Sequence, residues 1–169
     1  GEYQIKNAAM AYLVGNLLNI PESRIHQGLI KAEWPGRLEY IAPNVLIDCA
    51  HNVAGMKELS SFIKKLPQRK ILILGISEDK EISKMVSLIA PLVDEIILTQ
   101  GNYKPASLEV LEREVKNYTN NIKKCSQVEE AIKEALKQKN KDDLILVAGS
   151  IYLVGDVLKH KSLFRKVFK

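Results

Sequence analysis

The sequence predicts an α/β fold of the Rossmann-like kind, in which a mostly parallel sheet is flanked by helices and is preceded by a short helical segment. Three observations lead to this prediction. Short apolar runs that suit buried strands alternate with amphipathic helical segments from residue 38 onward. Trp34-Pro35-Gly36 interrupts the helical periodicity before them. Polar clusters follow three of the predicted strands, which is where ligands bind in open parallel sheets.

Two helices are predicted before the interruption. Residues 4–19 carry apolar side chains at steps of three and four, and Pro21 ends this pattern. Residues 22–31 form a second, shorter segment with one apolar side. We therefore expect residues 1–33 to be the C-terminal helices of a preceding domain and residues 34–169 to form one Rossmann-like domain.

Strands and helices then follow in regular order. Strands are predicted at 38–42, 45–48, 70–74, 95–98 and 143–148, with a weak strand near 121–125. Helices are predicted at 54–65, 81–90, 107–117 and 126–139, with a last helix from Ile151. Strand–helix alternation at this spacing implies parallel strands with helices on both faces of the sheet.

Composition excludes several classes of protein. The chain is 46% apolar and 27% charged, which is typical of a soluble globular domain. No apolar run approaches the roughly 18 to 20 residues that a membrane span needs, and the first ten residues do not have the pattern of a signal peptide. Cys49 and Cys125 are too few for a disulfide framework and too far apart for a CxxC metal site. We expect a cytoplasmic protein with reduced thiols, no metal site in this chain and no membrane partner.

The net charge of +5 lies at one end of the chain. Residues 159–169 contain five of the 25 basic residues and none of the 20 acidic ones, so the rest of the chain is neutral. Such a tail can contact nucleic acid, but a solvated helix face is the interpretation that we adopt, and no nucleic-acid partner is expected.

Asp48, His51 and Asn52 follow the second predicted strand within five residues. A carboxylate can hold a ribose hydroxyl or a cation, and an imidazole can contact phosphate or transfer a proton. Asp or Asn at such a position can instead cap the next helix. The spacing alone leaves both interpretations open.

Two further polar clusters follow later strands. After the strand at 70–74, Lys80 can pair with a phosphate and Asp79 can cap the next helix. Ser150 follows the last strand and begins a helix, where backbone N–H groups favour a carboxylate or phosphate. A simple N-cap role for the serine is the alternative.

Arg37 follows the Trp-Pro-Gly interruption, where its guanidinium can neutralise phosphate charge or can simply lie at the surface. The chain contains neither GxxxxGK[ST] nor GxGxxG. A P-loop and a dinucleotide-binding fingerprint are therefore absent from these 169 residues.

Taken together and in order, these motifs resemble those of the folylpolyglutamate synthases and dihydrofolate synthases of the Mur ligase superfamily. Residues 34–39 (WPGRLE) are similar to the family's WPGRLE-type linker, and residues 48–52 (DCAHN) to its DGAHNP motif. Gly75 with the DKE at 79–81 resembles the family's G…DKD segment, and residues 149–155 (GSIYLVG) its GSLYLVGE ending. Residues 1–11 (GEYQIKNAAMA) resemble the GxHQxxNAxxA helix that closes the family's central ATPase domain.

The chain departs from the family pattern at three positions. Tyr3 stands where the family has a histidine, and Val53 where it has a proline. Lys104 is the basic residue found where the family usually has an arginine. The resemblance otherwise covers nearly the whole chain.

The resemblance implies part of an ATP-dependent carbon–nitrogen ligase of the tetrahydrofolate synthase or dihydrofolate synthase type. Such enzymes activate a carboxylate as an acyl phosphate, which the amine of L-glutamate then attacks. The implied small-molecule substrates are ATP, L-glutamate and folate or dihydropteroate. The family's P-loop and Mg²⁺ ligands lie in its central domain, so we expect the Mg²⁺ ligands outside this chain and expect the chain to be inactive alone.

The resemblance also implies roles for individual residues. Asn7, Arg37 and Asp48 match positions that hold ATP. His51 and Ser150 match positions near the γ-phosphate and the incoming glutamate, and they are the candidate catalytic residues.

Asn52 and Lys80 are candidates for further contacts to phosphate or substrate, and we expect a monomer. Two alternatives stay open. One is a domain of a murein-precursor amide ligase, and the other is a non-catalytic nucleotide-binding or regulatory Rossmann-like domain.

Overall fold

The chain divides into two units, Gly1–Pro35 and Gly36–Lys169. The computed structural model describes the backbone of residues 2–167 and the side chains of residues 4–164. The described side chains do not include that of Tyr3 or those of three basic residues of the C-terminal tail, Arg165, Lys166 and Lys169.

The first unit consists of helices α1 (Glu2–Leu17) and α2 (Glu22–Lys31), as the periodicity predicts. The two helices approach closely at Gly15, where an added Cβ would lie 2.8 Å from Ile25 Cδ1. The Tyr12 hydroxyl donates to Glu22 at 2.8 Å, and the Tyr12 ring stacks on His26. Most apolar side chains of α1 are nevertheless exposed, so burial within this unit contributes little to its stability.

The second unit is built on one six-stranded sheet. Its strands are β1 (Glu39–Ala42), β2 (Val45–Ile47), β3 (Lys70–Leu74), β4 (Glu95–Leu98), β5 (Ile122–Lys124) and β6 (Leu144–Ala148). The strand order is β1-β2-β6-β3-β4-β5, and every neighbouring pair is parallel except the β1–β2 hairpin. The predicted fold class is confirmed, and the weak strand near 121–125 forms one edge of the sheet.

Helices cover both faces of this sheet. They are α3 (Val53–Ile63), α4 (Ile82–Ile89) with a 3-10 turn at Ala90–Leu92, α5 (Leu108–Val115), α6 (Val128–Gln138), α7 (Ile151–Lys159) and α8 (Ser162–Val167). Leu72 and Leu74 of β3 point to the core with α3, α4 and α5, whereas Ile71 and Ile73 point to the core with α6 and α7. Both faces of β3 are therefore buried, which explains why the strand is apolar throughout. The sequence pattern does not predict α8, whose Phe164 completes the second core.

An ion cluster fastens the amino ends of three strands. Arg69, just before β3, donates to Asp143 Oδ2 at 2.7 Å and to Glu95 Oε2 at 2.9 Å. Burial by itself raises the pKa of Asp143, but hydrogen bonds from Asn140 and Arg69 outweigh it and lower that pKa below its ordinary value. One guanidinium thus joins β3, β4 and β6 at the edge opposite the predicted ligand-binding residues.

We expect Arg69→Ala to lower the free energy of unfolding by about 2–3 kcal/mol, because it leaves two buried carboxylates without their cation. Urea denaturation of the 169-residue chain measures this. Arg113→Ala is the control, since Arg113 is exposed and its pair with Glu114 is long, at 3.6 Å, so its effect should stay below about 0.5 kcal/mol. Equal effects of the two substitutions would show that the cluster does not stabilise the sheet.

Candidate functional site

The carboxyl ends of the parallel strands bring the predicted site residues to one edge of the sheet. Strand β6 lies between β2 and β3, with Ile47 opposite Val147 and Leu74 opposite Ala148. Asp48 N donates to Val147 O at 2.9 Å, directly below the turn that contains Ser150. The loops that follow β2, β3 and β6 therefore meet here, although about a hundred residues separate the first from the last.

The loops at this edge approach so closely that two positions require glycine. Gly149 has a φ of 109°, and an added Cβ would lie 2.6 Å from Gly75 O. A Cβ on Gly75 would lie 2.7 Å from Thr99 O, at the end of β4. Side chains at either position would force the loops after β3, β4 and β6 apart.

Asp48 is buried and already uses both carboxylate oxygens. Its Oδ1 accepts from Ala50 N at 2.8 Å, and its Oδ2 accepts from Leu38 N at 2.9 Å, with the residue only 3% exposed. Burial raises the pKa of the carboxyl group above its ordinary value, and the two backbone hydrogen bonds and the charge of Arg37 oppose that rise. The geometry makes Asp48 a fastening point for the backbone.

Arg37 is half-buried beside Asp48. No hydrogen bond or ion pair is formed by its guanidinium with any residue that the structure describes. A cation held near a buried carboxylate but not paired with it remains available to an anionic ligand.

The backbone binds one of the two ring nitrogens of His51. Its Nδ1 lies 2.9 Å from Cys49 O, and since a carbonyl oxygen only accepts, Nδ1 carries the proton of this hydrogen bond. Among the side chains at 4–164, none is hydrogen-bonded to Nε2. The backbone thus orients the imidazole and leaves Nε2 available for a further hydrogen bond.

Asn52 and Ser150 are N-caps, so the capping interpretation is correct for both. Asn52 Oδ1 accepts from Gly55 N at 2.8 Å at the start of α3. Ser150 Oγ accepts from Tyr152 N at 3.2 Å at the start of α7. Each cap uses an oxygen as acceptor, so the Asn52 amide and the Ser150 hydroxyl still have protons to donate.

Lys80 forms an ion pair with the preceding residue, Asp79, at 2.7 Å. The hydrogen bond from Lys80 lowers the pKa of Asp79 below its ordinary value. The prediction that Asp79 caps the next helix is wrong, because the N-cap of α4 is Glu81, which makes no side-chain capping bond. Asp79 instead neutralises Lys80, whose adjacent ammonium group is the nearer and stronger partner.

Asn7 and Lys104 are exposed. Asn7 lies on α1 in the first unit and donates to Gln4 Oε1 at 2.8 Å. Lys104, in the loop after β4, has a φ of 40°, and its ammonium lies 5.7 Å from the centre of the Tyr103 ring. The Tyr103 ring in turn lies 4.5 Å from that of Tyr152 on α7.

Two features of this edge are not evident from the amino-acid sequence. Glu39 Oε2 accepts from Gly36 N at 2.7 Å, a contact that the WPGRLE motif contains but does not reveal. A polar cavity of about 490 Å³ opens beyond β4 and β5, and its lining includes Gln100, Asn102, Gln127, Asp156 and His160. No sequence signal points to the cavity, because its lining comes from three separate segments.

The donors at this edge suit anions better than cations. Arg37 and the first turn of α7 both favour a phosphate or a carboxylate. Across the described part of the chain, His, Cys, Asp and Glu nowhere gather in the groups of three or more that a metal ion requires. None of the described helices has the length and apolar character to cross a membrane.

Residues 36–151 match the family described as Mur ligase, glutamate ligase domain. The dihydrofolate synthase/folylpolyglutamate synthase of Bacillus subtilis is 28% identical over an alignment of 170 positions, which covers 94% of this chain and 39% of that protein. The UDP-N-acetylmuramoyl-L-alanyl-D-glutamate–2,6-diaminopimelate ligase of Clostridium perfringens is also 28% identical, over 96% of this chain and 36% of that protein. Escherichia coli FolC in complex with ADP superposes with a TM-score of 0.75 at 26% identity, covering 86% of this chain and 36% of that structure.

Replacing Asn52 should show how much its side-chain cap of α3 stabilises the fold. We expect Asn52→Ala to lower the free energy of unfolding by about 1 kcal/mol and Asn52→Asp to preserve it, since aspartate caps equally well. Urea denaturation of the 169-residue chain measures both. Asn120→Ala, at an exposed turn residue, is the control, and a loss with Asn52→Ala no larger than with this control would contradict the cap.

Proposed function

The chain belongs to the Mur ligase, glutamate ligase domain family, and we propose that it is the C-terminal part of an ATP-dependent ligase that joins L-glutamate to folate or dihydropteroate. The activity of the whole protein is a proposal, because the chain spans only 39% of the Bacillus subtilis relative. The observation that carries it is the arrangement of Arg37, His51 and the Ser150 turn along one sheet edge. This edge is suited to phosphate and carboxylate groups.

In the proposed reaction the acceptor's carboxylate attacks the γ-phosphorus of ATP, and ADP leaves. The amine of glutamate then attacks the acyl phosphate, forms the amide, loses a proton and expels phosphate. Arg37 offsets charge that develops on the transferring phosphate, because a guanidinium stabilises spread negative charge better than water does. Bound Mg²⁺ would offset further phosphate charge, and its ligands belong to residues outside this chain.

The remaining candidate residues have different roles in the proposed reaction. His51 Nε2 faces the γ-phosphate and the incoming amine, where it can accept or donate a proton. The Ser150 hydroxyl and the first N–H groups of α7 receive the carboxylate of glutamate. Asn7 contacts ATP, while Asn52 and Lys80 add donors for phosphate or substrate. None of these residues acts as a covalent nucleophile.

A murein-precursor ligase is the second candidate, because the Clostridium perfringens relative matches the chain at the same 28% identity. Both candidates share the acyl-phosphate mechanism and differ in the acceptor. Ligand-induced shifts in the melting temperature of the complete protein separate them, with dihydropteroate or folate in one arm and a UDP-linked muramoyl peptide in the other. We further propose that the protein is a monomer and that it lies in the cytoplasm, where the free thiols of Cys49 and Cys125 stay reduced.

The 169-residue chain should neither hydrolyse ATP nor ligate glutamate by itself. It contains no GxxxxGK[ST] sequence, and without such a loop the ATP phosphates lack their main electrostatic clamp. ADP release from the purified chain, measured with and without glutamate, tests this, with a complete folylpolyglutamate synthase run in parallel. Glutamate-dependent ADP release by the chain alone would refute the proposal that its catalytic site needs further residues.

In the complete ligase, His51→Ala should reduce kcat about 10²- to 10³-fold and change the KM for ATP little. The imidazole is expected to act on groups that carry charge mainly in the transition state, and the loss of one such contact costs about 3–4 kcal/mol. Steady-state kinetics of glutamate ligation measure both constants. His26→Ala is the matched control, because its side chain is 56% exposed and lies in the first unit. Wild-type kcat in His51→Ala would remove His51 from the mechanism.

A further inference from the structure

A short turn at Gly36–Leu38 carries Arg37, and three hydrogen bonds fix the backbone on both sides of that residue. Gly36 N donates to Glu39 Oε2 at 2.7 Å, and Gly36 O accepts from Cys49 N at 2.7 Å. Leu38 N donates to Asp48 Oδ2 at 2.9 Å. We call this arrangement the arginine turn. Its two carboxylates each accept from a backbone neighbour of Arg37, and neither pairs with the guanidinium itself.

The arginine turn has a backbone that its sequence alone does not favour. Leu38 has a φ of 46°, in the left-handed region that bulky side chains seldom occupy. Such a conformation is strained and persists only where surrounding contacts enforce it. The hydrogen bond from Leu38 N to Asp48 is the contact that enforces it here.

Close packing below the turn leaves no room for it to shift. Gly36 has a φ of 73°, and an added Cβ would lie 2.6 Å from Cys49 Sγ and 3.2 Å from Val154 Cγ1. Cys49 and Val154 are both buried. The turn therefore rests on the end of β2 and on α7, the helix that Ser150 caps.

The charge pattern argues that the carboxylates serve the position of Arg37 and not its neutralisation. The charge of Arg37 opposes the rise that burial causes in the pKa of Asp48, so the guanidinium lies within electrostatic range of that carboxylate. Neither Asp48 nor Glu39 forms an ion pair with it among the described residues. Asp48 is 3% exposed, so an incoming ligand has little access to its oxygens. Buried acceptors that bind the backbone N–H groups beside Arg37 fix the direction of its side chain. An arginine paired with a carboxylate would instead have fewer N–H groups left for a ligand.

We propose that Glu39 and Asp48 are positioning residues that hold Arg37 in the direction needed to meet a phosphate group. This inference rests on the proposed function for the identity of the ligand. It assigns a role to Glu39, and it assigns Asp48 an action on ATP through Arg37. Glu39 accepts through one carboxylate oxygen, whereas Asp48 accepts through both. Amide substitutions at the two positions should therefore have different effects.

Glutamine can replace Glu39 but asparagine cannot replace Asp48. Glu39 uses one oxygen, and the single carbonyl oxygen of Gln can accept from Gly36 N in its place. Asp48 uses both oxygens, so the amide of Asn would set an NH₂ group against the N–H of Leu38 or Ala50. A role of the carboxylates as mere negative charges would make both amide substitutions equally harmful.

The first measurement is the mobility of Arg37 in the 169-residue chain by ¹⁵N NMR, together with amide exchange of Gly36, whose N–H donates to Glu39. Glu39→Ala should make the Arg37 N–H groups more mobile and speed exchange at Gly36 at least about tenfold. Glu39→Gln should stay within about threefold of the unsubstituted chain. Glu58→Ala, which removes an exposed carboxylate on α3, is the matched control and should change neither quantity. Unchanged mobility of Arg37 in Glu39→Ala overturns the inference, whatever the enzyme does.

The second measurement is a double-mutant cycle on kcat in the complete ligase. Glu39→Ala should lower kcat about tenfold when Arg37 is present and less than about twofold in an Arg37→Ala background. A purely structural role predicts the same loss in both backgrounds and overturns the inference. If Asp48→Asn does not fold, the Glu39 cycle decides alone.

The failure of the proposed function has a different signature. In that case the complete protein shows no ATP-dependent glutamate ligation, while Glu39→Ala still mobilises Arg37 in the chain. That result supports the arginine turn as a positioning device and overturns the assignment of its ligand.

Discussion

The parallel pairing of β6 with both β2 and β3 is the constraint on which the rest of the second unit depends. Strand β6 is buried on both faces, and its five residues run beside those of β3 from Lys70↔Leu144 to Leu74↔Ala148. Because parallel strands end at the same edge, this register alone sets the loops after β2, β3 and β6 side by side. A shift of β6 by one residue would turn its core side chains to the opposite face and separate Asp48 from the Ser150 turn.

The charged side chains at the amino ends and at the carboxyl ends of the strands have opposite arrangements. At the amino ends, two buried carboxylates neutralise Arg69, and these ion pairs hold three strands together. At the carboxyl ends, Arg37 lies near two carboxylates that bind backbone instead, and its charge remains available. The ion cluster and the candidate ligand-binding residues thus lie about the length of a strand apart. Loops at the carboxyl edge can carry reactive groups without weakening the ion cluster that fastens the sheet.

Several residues at the carboxyl edge have a structural duty that does not exhaust their chemistry. Asn52 and Ser150 cap helices through an oxygen and still have protons to donate. His51 gives one nitrogen to a backbone carbonyl and keeps the other. A residue fixed by its own backbone contacts loses little conformational entropy when a ligand arrives, so these duties prepare the site for binding. This explains why the capping interpretation and the binding interpretation of the same residue need not exclude each other.

The sequence by itself determined the fold class, the helices of the first unit and the strands at 70–74 and 95–98, because periodicity and β-branched runs are local properties of the chain. It also located Asp48, His51 and Ser150 at strand ends, since parallel topology follows from strand–helix alternation. Tertiary structure alone decided the long-range partners of the polar groups: the ion cluster of Arg69 and the fastening of Leu38 by Asp48. A carboxylate selects its partner by distance and burial, and these depend on segments that lie 10 to 74 residues apart and meet only when the sheet has formed.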